Sequence, residues 1–128
     1  MSLEVTSLIA GLLTLMMVPL SVQVSMRRVK LQTVFGDADD ELLRRRIRAH
    51  GNFVEYVPTS LIALGLIEWN GAPHWLVWTV GVAVLGARVV HAYGMLYTRT
   101  TVFRGIAMLL QHAAFLAAGA WLVLWFSA

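Results

Sequence analysis

Apolar residues run through this chain in blocks that are long even for a buried core helix. Val5 to Met26 carries no charged residue, and similar runs follow after three polar interruptions. A helix needs about 20 apolar residues to cross a bilayer. Four segments have that reach, at about 4–27, 40–67, 73–97 and 103–126. The interruptions differ in kind. Leu31 to Asp39 is a polar loop with Gly36 and Asp37, Glu68 to Pro73 is a tight turn with Trp69 as an aromatic anchor, and Thr98 to Thr101 is short. Asp39 or Asp40 suits the N-cap of the second helix and Glu41 its first turn. Pro19 is expected to kink the first helix, and Pro58 to free a backbone carbonyl in the second. The pattern predicts an all-α fold, an integral membrane four-helix bundle forming a single domain over 1–128.

Composition supports the membrane reading. Of the 128 residues, 59% are hydrophobic and 13% charged, whereas soluble domains carry roughly a quarter charged residues. The first segment lacks a basic stretch before it, so it reads as a span and not as a cleaved leader. There is no cysteine. That excludes a disulfide framework, a cysteine nucleophile and thiolate metal sites, so any thiol chemistry uses a thiol brought by a substrate. His50, His91 and His112 lack metal-ligand spacing, and no metal is expected.

The basic residues are one-sided. Of the 10 Lys and Arg residues, Arg27, Arg28, Lys30, Arg44, Arg45, Arg46 and Arg48 lie between the first two helices. Arg99 and Arg104 lie between the last two, and Arg88 lies inside the third. By the positive-inside rule both of these connections face the cytoplasm, and Trp69, Trp75, Trp78, Trp121 and Trp125 form a belt at the far interface. Such placement explains the net charge of +3 by lipid and topology, without nucleic acid. Arg44-Arg45-Arg46 reads first as a topology signal and lipid contact.

The candidate chemistry sits where helix 2 enters the apolar layer. In Arg48-Ala49-His50-Gly51-Asn52-Phe53-Val54-Glu55-Tyr56-Val57-Pro58, residues Arg48, Asn52 and Glu55 share a helical face. A glutamate at that depth is costly unless paired or hydrated, and is a functional-site hypothesis by default. Cations for carboxylates and an anion for an ammonium together suit a small zwitterion. Helix 3 contributes Arg88, with His91 on its face. Glu55 is the acid at comparable depth, so a structural Glu55–Arg88 ion pair locking two helices is the plain alternative. Gln111 and His112 read as interhelical hydrogen-bond groups, and Gly81, Gly86 and Gly94 as points of close helix approach.

Arg48-Ala49-x-x-Asn52-x-x-Glu55-Tyr56-x-Pro58 resembles the signature of the MAPEG family, the membrane-associated proteins in eicosanoid and glutathione metabolism. Ala87-Arg88-Val89-Val90-His91-Ala92-Tyr93-Gly94 resembles the family's third helix, and the four-span layout agrees. The tyrosines that eukaryotic members carry three and seven residues after the helix 3 arginine are here His91 and Met95, which resembles the short bacterial branch. The resemblance implies a homotrimer with glutathione bound between subunits near the cytoplasmic face, in a bacterial inner membrane. It implies that Arg27, Arg48, Asn52, Glu55, Tyr56, Arg88 and His91 bind glutathione, with Glu55 at the γ-glutamyl ammonium. Arg104 resembles the arginine that stabilises the thiolate. The expected activity is a glutathione-dependent transferase or peroxidase, with glutathione as co-substrate, acting on a hydrophobic electrophile or lipid hydroperoxide from the bilayer.

Two other classes compete. A small multidrug exporter has similar size, but its glutamate belongs in the first helix, where this chain has only Glu4 at the far end. A non-catalytic glutathione- or lipid-binding membrane protein would keep the fold without turnover.

Overall fold

A computed structural model describes residues 2–127. Four helices account for most of them: α1 (Glu4–Leu31), α2 (Glu41–Trp69), α3 (His74–Tyr97) and α4 (Val102–Phe126). Pro19 and Pro58 lie inside unbroken helices. α1 runs a turn beyond its apolar stretch and ends at Gln32. This residue adopts a left-handed conformation (φ 52°), and its N–H closes onto the carbonyls of Arg28 and Val29.

Among the described residues, three helices are long and apolar enough to cross a membrane: α1, α3 and α4. α2 is not, which corrects the reading of four apolar spans. Its first half carries Glu41, four arginines and Glu55. Geometry nonetheless places α2 alongside α1 over its full length, because the two antiparallel helices are tied at both ends. At one end Arg27 of α1 grips Asp40, the N-cap of α2. At the other, the Glu68 carboxylate near the end of α2 accepts from Val5 N (2.9 Å), Thr6 N (2.8 Å) and Thr6 Oγ1 (2.6 Å). Leu3, at the N-cap of α1, offers no side-chain cap, so Glu68 satisfies amides that would otherwise be orphaned at that helix start. Helices of 28 and 29 residues extend about 42–44 Å at ~1.5 Å per residue, enough for the hydrocarbon and its interfaces.

α2 and α3 hold the centre, and α1 and α4 do not touch. α1 buries one stripe, Val5, Ile9, Leu13 and Leu20, against them. α4 buries Ala107, Gln111, Ala114 and Ala118, small groups apart from the glutamine. Small residues let helix backbones approach in a setting where the hydrophobic effect does not drive association. Two glycines serve the same end. A Cβ on Gly81 would stand 3.0 Å from Ile9 Cγ1, and one on Gly94 would stand 2.9 Å from Phe103 Cβ. Gly86 faces open space and is not a contact point within the chain. The remaining surface is strongly apolar, with Leu15, Leu109 and Leu116 each more than two-thirds exposed. That surface suits a bilayer and not water.

Candidate functional site

The end of the bundle that gathers the arginines is built by those arginines. Arg27 makes a bidentate pair with Asp40, at 3.0 Å (Nε–Oδ1) and 2.5 Å (Nη2–Oδ2). Asp40 Oδ1 also accepts from Leu43 N at 2.6 Å. The Arg27 guanidinium, together with that amide, holds the Asp40 carboxyl at about 2, well below the usual carboxylate range. Arg28 donates to the Val34 carbonyl at 2.5 Å and folds the connecting loop back. The triplet Arg44-Arg45-Arg46 is divided among three neighbours of α2: the connecting loop, the end of α3 and α1. Arg44 pairs with Asp37 at 2.6 Å, Arg45 donates to Met95 O at 2.7 Å and to Thr98 O, and Arg46 donates to Gln23 O at 3.0 Å. Arg45 thereby caps the C-terminal carbonyls of α3, where a cation also complements the helix dipole. Each arginine ties α2 to a different neighbour, a role beyond the topology signal read from sequence.

Arg48 and Arg104 are different. Among the described residues neither forms an ion pair, and the one polar contact of Arg104 is the weak acceptor Met95 Sδ at 3.8 Å. Both face a cavity of about 330 Å³ between α2, α3 and α4, which Asn52, His91 and Met95 also line. A second lobe of about 360 Å³ shares Arg45, Met95 and Arg104 and reaches Glu41, Thr98 and Arg99. The close approach of α3 to α4 at Gly94 sets this geometry, since Arg104 Cγ and Arg104 N would lie 3.3 and 3.4 Å from a Cβ there.

Beneath the cavity, Arg88 is 1% exposed. Its Nη1 donates to Asn52 Oδ1 at 2.5 Å, and its guanidinium carbon lies 5.0 Å from the centre of the Tyr56 ring. The same ring stacks on Phe115 at 6.0 Å and meets His112 edge-on at 6.3 Å. Arg88 Nε and Nη2 are buried without a partner. A Glu55–Arg88 ion pair is not what the structure holds. Glu55 is exposed, about 21 Å along α2 from Glu41 at ~1.5 Å per residue, on the outer surface of the bundle.

The structure thus splits the sequence-derived set. Arg48, Asn52, His91 and Arg104 meet at the cavity. Arg88 and Tyr56 stack below Asn52. Arg27 is engaged by Asp40, and Glu55 points away from the interior. Sequence reasoning missed two polar contacts that fix α2. One is the Glu68 clamp on α1. The other is a chain in which Gln111 Nε2 donates to Ser60 Oγ (2.9 Å) and Ser60 Oγ to Tyr56 O (2.7 Å). The signal for the second was present, since a glutamine and a serine in apolar helices need partners.

Comparison with known proteins bears on the whole chain. The MAPEG family matches residues 6–125. Inner membrane protein YecN of Escherichia coli strain K12 is 36% identical over 90 residues, covering 70% of this chain and 69% of that protein. YecN of E. coli O6:H1 matches equally. No solved structure matches significantly. With the family match running from the first turn of α1 to the last of α4, and with the Arg48–Pro58 stretch on the helix that walls the cavity, the chain belongs to the MAPEG family.

Proposed function

We propose that this protein is a glutathione-dependent transferase or peroxidase, active as a homotrimer in a bacterial inner membrane with its arginine-rich end in the cytoplasm. The observation that carries the reading is the pair of uncommitted cations, Arg48 and Arg104, on a cavity of about 330 Å³ whose other arginine neighbours are already occupied. Glutathione brings two carboxylates and an ammonium. Arg48 and the Asn52 amide suit the former, and Glu55 suits the latter. Glu55 lies on the outer face of α2, so a site using both Arg48 and Glu55 extends over the protomer surface. A neighbouring subunit would cover it there, which also removes a carboxylate from contact with lipid.

Arg104 then acts on the sulfur. A cysteine thiol ionises near pH ~8.5 and does so more readily beside a guanidinium. The thiolate attacks an electrophilic carbon to form a C–S bond. Alternatively it attacks a hydroperoxide oxygen, breaking the O–O bond, and a second glutathione completes the reduction to disulfide, alcohol and water. Membrane-exposed surface on α1, α3 and α4 gives apolar substrates direct access from the bilayer.

The test is titration calorimetry and a thermal-shift series with glutathione on detergent-purified protein, paired with native mass spectrometry. Binding to native protein stabilises it by mass action, so melting should rise with glutathione at millimolar concentration, and the trimer should be the main species. No stabilisation at that concentration sinks the ligand assignment, and a monomer as the sole species sinks the shared site.

A further inference from the structure

The chain has four histidines, and three of them do not line the cavity. His74 Nε2 accepts from Trp78 Nε1 at 2.7 Å. His112 Nδ1 lies 2.7 Å from the Met108 carbonyl. His50 Nε2 is buried with no partner, and His50 lines neither arginine-rich lobe. His91 differs from all three. It is 7% exposed and lines the cavity beside Arg48, Asn52, Met95 and Arg104. Among the described residues its ring nitrogens bond to nothing, yet neither belongs to the sealed, unpartnered atoms. What little of this ring is accessible therefore opens to the cavity.

We propose that His91 is the catalytic base that takes the proton of the glutathione thiol. This rests on the glutathione reading and goes beyond it, because that reading says what holds the thiolate and not where its proton goes. The neutral imidazole offers one nitrogen lone pair, as a proton acceptor requires. The step is a proton transfer only: the S–H bond breaks, an N–H bond forms on the ring, and no electrons change hands. After attack, the imidazolium returns the proton to the adduct carbanion or to the departing oxygen, which closes the cycle. The charged groups around the ring are Arg48 from α2, Arg88 from its own helix and Arg104 from α4; Arg44 and Arg45 of α2 also line the lobe, bound to Asp37 and to the Met95 carbonyl. No carboxylate lines this lobe. A ligand with two carboxylates and a thiolate supplies the negative charge that a further cation in this cluster needs, so proton uptake by His91 is coupled to glutathione arrival.

The experiment counts protons. Purified trimer in weak buffer is mixed rapidly with glutathione near neutral pH, while ultraviolet absorbance follows thiolate and a pH indicator follows released protons. The expected result is clearly less than one proton released per thiolate formed in the wild type. His91→Gln should form less thiolate, release one proton for each that does form, and lose roughly 10²-fold in kcat/KM, the lower range for a general base. Added imidazole should restore thiolate formation to His91→Ala. A packing role for His91 alters neither the proton count nor the imidazole response. Thiolate formation with a full proton released in the wild type overturns this proposal and leaves the glutathione reading intact. Absence of any glutathione-dependent signal in the wild type overturns both.

Discussion

Arg88 Nη1 donates to Asn52 Oδ1 at 2.5 Å, so a neutral amide, and not the carboxylate of Glu55, receives the buried guanidinium of α3. The contact joins α2 to α3 at the floor of the cavity. It also leaves Glu55 without an internal counter-charge, on the exposed face of α2.

Asn52→Leu should therefore destabilise the fold by about 1.5–3 kcal/mol, the range for losing a hydrogen bond to a charged group. Arg88 already has two unpartnered nitrogens, and the substitution would strip its close side-chain acceptor. Unfolding followed by circular dichroism in detergent measures this. Unchanged stability would mean that another group reaches Arg88.

Gly94 and Gly86 should respond in opposite ways. A Cβ at Gly94 meets Phe103 Cβ at 2.9 Å and Arg104 Cγ at 3.3 Å, whereas Gly86 meets nothing within 4 Å. Gly94→Ala forces α4 away from α3, at about 1–3 kcal/mol for overpacking, and carries Arg104 with it. Gly86→Ala should be neutral or slightly stabilising, since alanine is the better helix former. Thermal melting of the two variants, with turnover beside it, checks both expectations.

Helices were the legible part of this chain, because apolar runs of membrane length have few other solutions. Partners were less legible. Arg48, Asn52 and Glu55 do share a helical face, but that face straddles the edge of the bundle. Asn52 turns inward to Arg88 while Arg48 and Glu55 stay exposed. A helical wheel fixes relative angles and not where the neighbouring helix lies. Arg45 illustrates a second limit. Its acceptors are backbone carbonyls at Met95 and Thr98, and every residue has such a carbonyl, so sequence does not single these out. Glu68 reads as a turn residue because its contacts are amides at the start of α1, more than sixty positions away.

The α1–α2 junction should weaken in acid. Arg27, and then the Leu43 amide, depress the Asp40 carboxyl to about 2 from its ordinary 3.8. Between those values the unfolded chain binds the proton and the folded one does not, so stability rises with pH across that window. The contribution is in place above about 4 and is lost as pH falls through about 2. Limited proteolysis of loop 32–40 with an acid protease should show increasing cleavage over that range. Asp40→Asn should lack the transition and be cleaved readily at all pH values.

The last expectation separates the charges around the cavity by function. Glu55 carries no internal hydrogen bond or ion pair among the described residues, so Glu55→Gln should leave melting of the ligand-free protein within about 0.5 kcal/mol of wild type, as for a surface change. If Glu55 holds the glutathione ammonium, the same variant should weaken binding by about 1.5–3 kcal/mol, roughly 10- to 100-fold. Arg48→Ala should weaken binding similarly, since its guanidinium is free to meet a carboxylate. Arg104→Ala should keep most of the affinity, because its proposed partner is the sulfur. It should instead raise the pH at which bound thiol ionises and cut turnover near neutrality, with activity recovering as pH rises. Calorimetry gives the affinities, and thiolate absorbance against pH gives the ionisation. Were Glu55→Gln to bind glutathione as tightly as wild type, or Arg104→Ala to show an unshifted thiol titration, the corresponding role would fall while the fold account stood.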